Sequence, residues 1–380
     1  MRNLVWVSGL VFAMACGGGG SGTTQTNTPT TTSSAGPATS GGPVTTVSGP
    51  KTPLADLIKK TLADFDAAYA AHDAAKAVAA YSADAVFAQP THLGFNDHKK
   101  DEIQKNLEAL FKGFPDVKLT PTREYMKGNI VVIEGVMTGT HTGEYMGQAA
   151  TGKKFGQRYL AVLWFNDDGL IMKEHMYRDH AAMLGHIGHG DPKLKLRNVE
   201  AIPTMTVEQI SAGDTAVEAK NTETVKAFLA SFEKKDEKAY AAVLADDITH
   251  ADYTRVEDEK GKDAAKKAFG ELVKAFPDLK MTPTNIMAIG DHVIAEVEMS
   301  GTMKGDLGSV KPSGKSGTAH LVDVFKFNKD GKITWAGRWG SRLEFAAAFG
   351  VPEKPPTKPT TAGAGSSGAA AGTTTPPAKK

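Results

Sequence analysis

The sequence predicts an α+β protein made of two tandem copies of one cone-shaped domain, and three observations carry that prediction. First, Phe114-Pro115-Asp116 returns as Phe276-Pro277-Asp278, Gly139-Thr140 as Gly301-Thr302, Gly152-Lys153 as Gly314-Lys315 and Asp168-Gly169 as Asp330-Gly331, always 162 residues later. From Phe114 to Gly188, 23 of 75 positions are identical at that offset without a gap, far more than composition supplies. A period this long is beyond solenoid units, so each copy needs its own core. Second, apolar spacing within each copy changes from helical to alternating. Third, the copies are framed by Gly, Ser, Thr, Pro and Ala-rich flanks that cannot bury enough apolar surface to offset their chain entropy.

The elements follow in order. Pro53 to Tyr69 places Leu54, Leu57, Ile58, Leu62, Phe65 and Tyr69 at helical spacing, with Pro53 suited to a first turn. A second helix is expected from Asp97 to Phe111, ending before the Gly113 to Pro115 break. The period then becomes two over 117–126, 130–141, 158–165 and 170–179, with turns at Gly128-Asn129 and Asp167-Asp168-Gly169, which predicts an antiparallel meander. A short helix at 181–187 closes the copy; the second copy repeats the plan, with helices at 217–232 and 263–275 and strands to Arg338. Helices followed by a curled sheet give a cone closed on one face.

Among 380 residues, Lys plus Arg is 44 and Asp plus Glu 43, for a net charge of +1, so no basic field is available for gripping nucleic acid. Residues 1–16 carry Arg2, a short apolar run from Leu4 to Met14 and the small-residue pattern Ala13-Met14-Ala15: an export signal, too short to span a bilayer. The sole cysteine, Cys16, follows immediately and precedes four glycines, so the segment resembles a bacterial lipoprotein signal with Cys16 lipidated. A plain signal-peptidase site before an incidental cysteine is the alternative. The expected plan is signal 1–16, tether 17–51, first domain 52–190, linker 191–215, second domain 216–352 with a degenerate pocket, and disordered tail 353–380. The tether's coil reach is on the order of 30 Å, and the expected address is the lipid-anchored face of a bacterial cell envelope.

Gly139-Thr140-His141-Thr142-Gly143-Glu144-Tyr145, Ala150-Thr151-Gly152-Lys153, Phe165 with Asp168 to Ile171, and Asp179 before Leu184 to Gly188 resemble the SnoaL-like polyketide cyclase family of the nuclear transport factor two superfamily. Phe114-Pro115-Asp116 also fits. The resemblance covers most of 54–190 and, less completely, 217–351. It implies an aspartate at the end of the last strand acting as general acid/base in an aldol-type ring closure, without metal or cofactor, and that place is taken by Asp179. Ser341 and Met303 stand where the first copy has Asp179 and His141. His175 departs from the family's usual tryptophan.

Asp179, Tyr177 and His175 alternate along one strand and share a face. If that face lines the cavity, the carboxylate can take a carbon-bound proton while His175 or Tyr177 donates to the oxyanion; otherwise Asp179 caps the last helix. His141, in a pocket position of the resembled family, and Tyr145 are the expected ligand contacts. His180, His186 and His189 crowd one helix, but no cysteine or well-spaced carboxylate joins them and no metal site is expected. In the second copy, Asp323 shares an apolar face with Leu321, Phe325 and Phe327 and is expected to pair with Arg338 or Arg342; Trp335 and Trp339 are expected in core or interface. A tandem copy supplies an internal partner, hence an expected pseudo-dimer. Three functions remain open: a tethered binder holding a small hydrophobic or polyketide-like molecule in the first cone, a cofactor-independent ester cyclase or isomerase using Asp179, and a structural envelope protein.

Overall fold

The computed structural model describes residues 53–192, 195–204 and 206–351. The signal, Cys16, the tether and the tail lie outside the described residues. The apolar spacing after Pro53 produces the helix Leu54–Ala70, which buries Ile58, Ala68 and Tyr69. The second expected helix runs Lys100–Gly113, and its counterpart Lys262–Ala275. The strands expected after the Phe-Pro-Asp breaks form as Lys118–Lys127, Ile130–Thr140, Lys154–Phe165 and Ile171–Arg178, then Lys280–Ile289, His292–Thr302, Ser316–Phe327 and Ile333–Trp339.

Each repeat adds a strand that periodicity did not announce. Tyr81–Ala88 pairs in parallel with Ile171–Arg178, and Leu244–Asp252 in parallel with Ile333–Trp339, so neither sheet is the simple antiparallel meander expected. Both parallel pairings carry a register shift, and Ser82, Asp84 and Asp246-Asp247 interrupt the apolar alternation, which hides the strands from a period-two reading. The linker is also partly ordered: Glu208–Ile210 adds in parallel to the edge strand Lys118–Lys127. With the two-residue edge strands His98–Lys99 and Glu259–Lys260, the first sheet has seven strands and the second six.

Helices cover the inner face of each sheet. The outer faces are apolar too, and meet: Tyr125, Val132, Leu160, Val162 and Tyr177 of the first repeat share one buried cluster with Met287, Ile289, Ile294, Val322, Val324 and Trp339 of the second. Alternation puts a carboxylate from each repeat in this seam, Glu134 and Glu296, at 6% and 2% exposure. Buried charge needs partners. Glu134 accepts from Tyr125 at 2.5 Å and Arg123 at 3.2 Å. Glu296 accepts from Tyr177 at 2.8 Å and Asn285 at 3.0 Å, and meets His175 Nδ1 at 2.6 Å.

Backbone packing leaves no room for side chains at some glycines. A Cβ on Gly143 would stand 1.9 Å from the Lys112 carbonyl oxygen, whereas one on Gly270, inside a helix, would meet nothing within 4 Å. Gly143→Ala should therefore cost about 2 kcal/mol or more, while Gly270→Ala should add roughly 0.5–1 kcal/mol through helix propensity, both read from denaturant midpoints.

Candidate functional site

The strand Ile171–Arg178 decides where the expected residues go. A register shift at Met172 leaves Ile171, Glu174, Met176 and Arg178 facing the helices, and His175 and Tyr177 facing the other repeat. The condition that the trio lines the first cone is thus unmet. His175 and Tyr177 grip Glu296 and pack on Phe95, at ring distances of 4.8 and 5.7 Å. Asp179 caps the helix His180–His186 through Ala181 N at 3.2 Å and is bound by Arg342, Nε to Oδ2 at 2.6 Å and backbone N to Oδ1 at 3.1 Å. Burial raises its pKa, and Arg342 opposes the rise.

His141 is fully buried under Phe114, at 5.2 Å between rings, with Nδ1 3.3 Å from Thr151 Oγ1. Burial lowers its pKa. Tyr145 packs edge-on against the same phenylalanine at 5.0 Å and forms the Tyr145–Gln148 turn. His186 reaches the Arg197 carbonyl at 2.8 Å and His189 the Ala149 carbonyl at 3.0 Å, so these rings pin loops.

The carboxylate that does face the first cone is one that was not singled out from the sequence. Glu174, 4% exposed, accepts from the Tyr81 hydroxyl, and burial pushes its pKa from 4.5 to about 7 against the attraction of Arg178. Tyr69, Tyr159, Met137 and Met183 complete the filling.

The second repeat, where a degenerate pocket was expected, contains open space. A groove of about 580 Å³ runs between Leu272, Met299, Leu307, Val310, Leu321 and Phe345 on its apolar walls and Arg255, Arg338, Arg342 and His320 on its polar side. A chamber of about 40 Å³ under Phe228, Phe232, Tyr240 and Phe269 shares Asp252, Arg255, Leu272 and Arg338 with it. Counting back 162 residues explains the opening. Gly340, Ala319, Leu321, Leu307 and Val310 line the groove where the first repeat carries Arg178, Gln157, Tyr159, Tyr145 and Gln148. Tyr159 is itself admitted by Gly135, opposite it, where a Cβ would lie 2.6 Å from the ring.

The groove's charges are tied down. Arg338 makes the expected pair with Asp323, bidentate at 2.7 and 2.8 Å, and Asp323 is 2% exposed. Asp252 accepts from Thr254 at 2.7 and 2.9 Å, and although burial opposes it, Arg338, His250 and Arg255 hold its pKa low. The first repeat reaches in: Phe95 stacks on His320 at 4.6 Å, Asp179 fixes Arg342, and Asp191 and Lys195 of the connector join the rim. Among the described residues no cluster of His, Cys, Asp and Glu is arranged to hold a metal.

The raised Glu174 gives a pH test. Between pH 4.5 and about 7 the folded chain keeps a proton that the unfolded chain has released, so this residue's contribution to stability falls as pH rises, with a slope of up to about 1.4 kcal/mol per pH unit. Glu174→Gln should remove that decline relative to wild type in denaturation curves between pH 5 and 7.5, and parallel profiles for the two proteins would refute the assignment.

Comparison with known proteins bears on this architecture. The family model for SnoaL-like polyketide cyclases matches residues 60–187, and that for SnoaL-like domains matches 225–336. A search of curated proteins finds no match. Among solved structures, a putative hydroxylase, AclR, from Streptomyces galilaeus is 24% identical, over 33% of this chain and 82% of its own, at a TM-score of 0.30. A putative SnoaL-like polyketide cyclase from Jannaschia is 20% identical over 37% and 99%, at 0.34. A putative polyketide cyclase from Xanthomonas campestris is 21% identical over 35% and 98%, at 0.32. With a matching domain in each repeat and the helix-covered curved sheet on both, the chain belongs to the SnoaL-like family of nuclear transport factor two-like folds, as a tandem duplicate.

Proposed function

We propose that this chain is an exported, lipid-anchored binding protein that takes a small, largely apolar molecule in the groove of its second repeat. The observation that carries the reading is the groove itself: about 580 Å³ lies within the range of small-molecule sites, with apolar walls and a few convergent charged groups. A polyketide-like or aromatic ester body suits Leu272, Leu307, Leu321 and Phe345, with a carbonyl or carboxyl end toward the arginines. Binding is favoured over ring-closure chemistry because Asp179, the expected general base, has both carboxylate oxygens engaged by Arg342 and Ala181.

The repeats act as an internal pseudo-dimer in this reading. The mixed apolar cluster and the Glu296 bonds support it, and the consequence is functional, since Phe95 and Asp179 hold two groove residues from the neighbouring repeat. Export and anchoring rest on the apolar run before Ala13-Met14-Ala15 and on Cys16 as the sole cysteine. Among the described residues no helix is long and apolar enough to cross a membrane.

Two experiments test these points. A Cβ on Gly340 would sit 3.7 Å from Leu321 Cβ, ordinary contact, so the backbone accepts a side chain there and Gly340→Leu puts one on a residue that lines the groove. Wild type should take up one equivalent of a naphthalene-sulfonate dye, and a panel of aromatic esters and ketones should compete with it. The variant should bind at least tenfold more weakly at an unchanged Tm, and undiminished uptake would refute the site. For the anchor, Cys16→Ser should move the protein from the membrane to the soluble fraction, and persistent membrane association would contradict the lipid reading.

A further inference from the structure

The first cone holds a buried cation that has no ion-pair partner among the described residues. Arg178 is 7% exposed, and among the described residues it has no carboxylate within ion-pair distance. Its Nη1 touches the Met137 thioether at 2.9 Å, its Nη2 stands 3.4 Å from the Gln89 amide oxygen, and its Nε has no partner. A thioether is a weak acceptor, and a guanidinium offers five donors, so part of this group's demand is unmet. The surroundings repeat the deficit. The Tyr69 hydroxyl and the Gln157 Oε1 also lack partners, in side chains 5% exposed each. Gln157 lies opposite Met137 across the sheet, and Tyr69 belongs to the same cluster as Met137 and Met183. Glu174 acts on Arg178 through space, but its carboxyl is engaged by Tyr81.

An isolated buried charge is costly, and a planar guanidinium matches a carboxylate in both charge and geometry. We infer that the first cone binds a small carboxylic acid, its carboxylate accepting from Arg178 Nε and the Tyr69 hydroxyl, and a hydroxyl on the same molecule donating to Gln157. The class is thus a small hydroxy acid. Met137 and Met183, whose side chains adjust easily, pack in the same cluster as Tyr69 and can yield the room a small acid needs. This site is separate from the groove proposed above and stands or falls without it.

The test is calorimetric titration of the full chain with lactate, with acetate, and with methylammonium as a cation control. Saturable binding of one lactate per chain is expected, acetate several-fold weaker, and methylammonium not at all. Arg178→Met should weaken lactate at least tenfold, Tyr69→Phe about three- to tenfold, and Gly340→Leu should leave it unchanged. Failure of wild type to bind either acid, or undiminished lactate affinity in Arg178→Met, would overturn the inference. Should Arg178→Met fail to fold, Tyr69→Phe decides: unchanged affinity there overturns the inference equally.

Discussion

Both sheets of this protein are apolar on both faces, and the packing that follows from this governs the rest. A sheet buried on one side alternates cleanly between apolar and polar residues; one buried on both does not. Helices cover the inner faces, and the outer faces cover each other through Leu160, Val162, Val322, Val324 and Trp339. The carboxylates drawn into that contact, Glu134 and Glu296, occupy equivalent positions but are treated differently. Burial leaves Glu134 raised despite Arg123, whereas the bonds from His175, Tyr177 and Asn285 outweigh burial and lower Glu296. Equivalent sequence thus meets an asymmetric environment, because Tyr177 and His175 have no polar counterparts in Trp339 and Gly337.

Much of the fold was legible. The 162-residue offset defined the repeats, and the change from helical to alternating spacing located the principal helices and most strands to within a few residues. Tyr81–Ala88 and Leu244–Asp252 were missed because their bulged, Asp-containing patterns lack a clean period. The site was far less legible. Alternation put Asp179, Tyr177 and His175 together, and they do share a side, but it is the side toward the other repeat. Alternation ranks faces without saying which is inner, and when both are buried hydrophobicity cannot choose between them. Comparing residue volumes rather than polarity at the offset, Gly340 against Arg178 and Ala319 against Gln157, would have located the groove.

The two repeats are cones of the same plan with different interiors. One is filled by Tyr159, Gln157 and Arg178, and the other is emptied by smaller residues at the same places. A large-to-small change in a packed core usually leaves a destabilising cavity. Here the second repeat has a neighbour that braces its rim, through Asp179 on Arg342 and Phe95 on His320. A smaller side chain at such a position is easier to tolerate where a neighbouring repeat braces the rim.

The short strand Glu208–Ile210 has a consequence for how the molecule can be divided. It lies along Lys118–Lys127, an edge that would otherwise present bare amide and carbonyl groups, and Arg123 clasps Glu208 at 2.7 Å. Unprotected edges recruit strands from other molecules. A first repeat severed at residue 190 would therefore lose its own selvedge and become adhesive, so the smallest well-behaved fragment carries the connector with it.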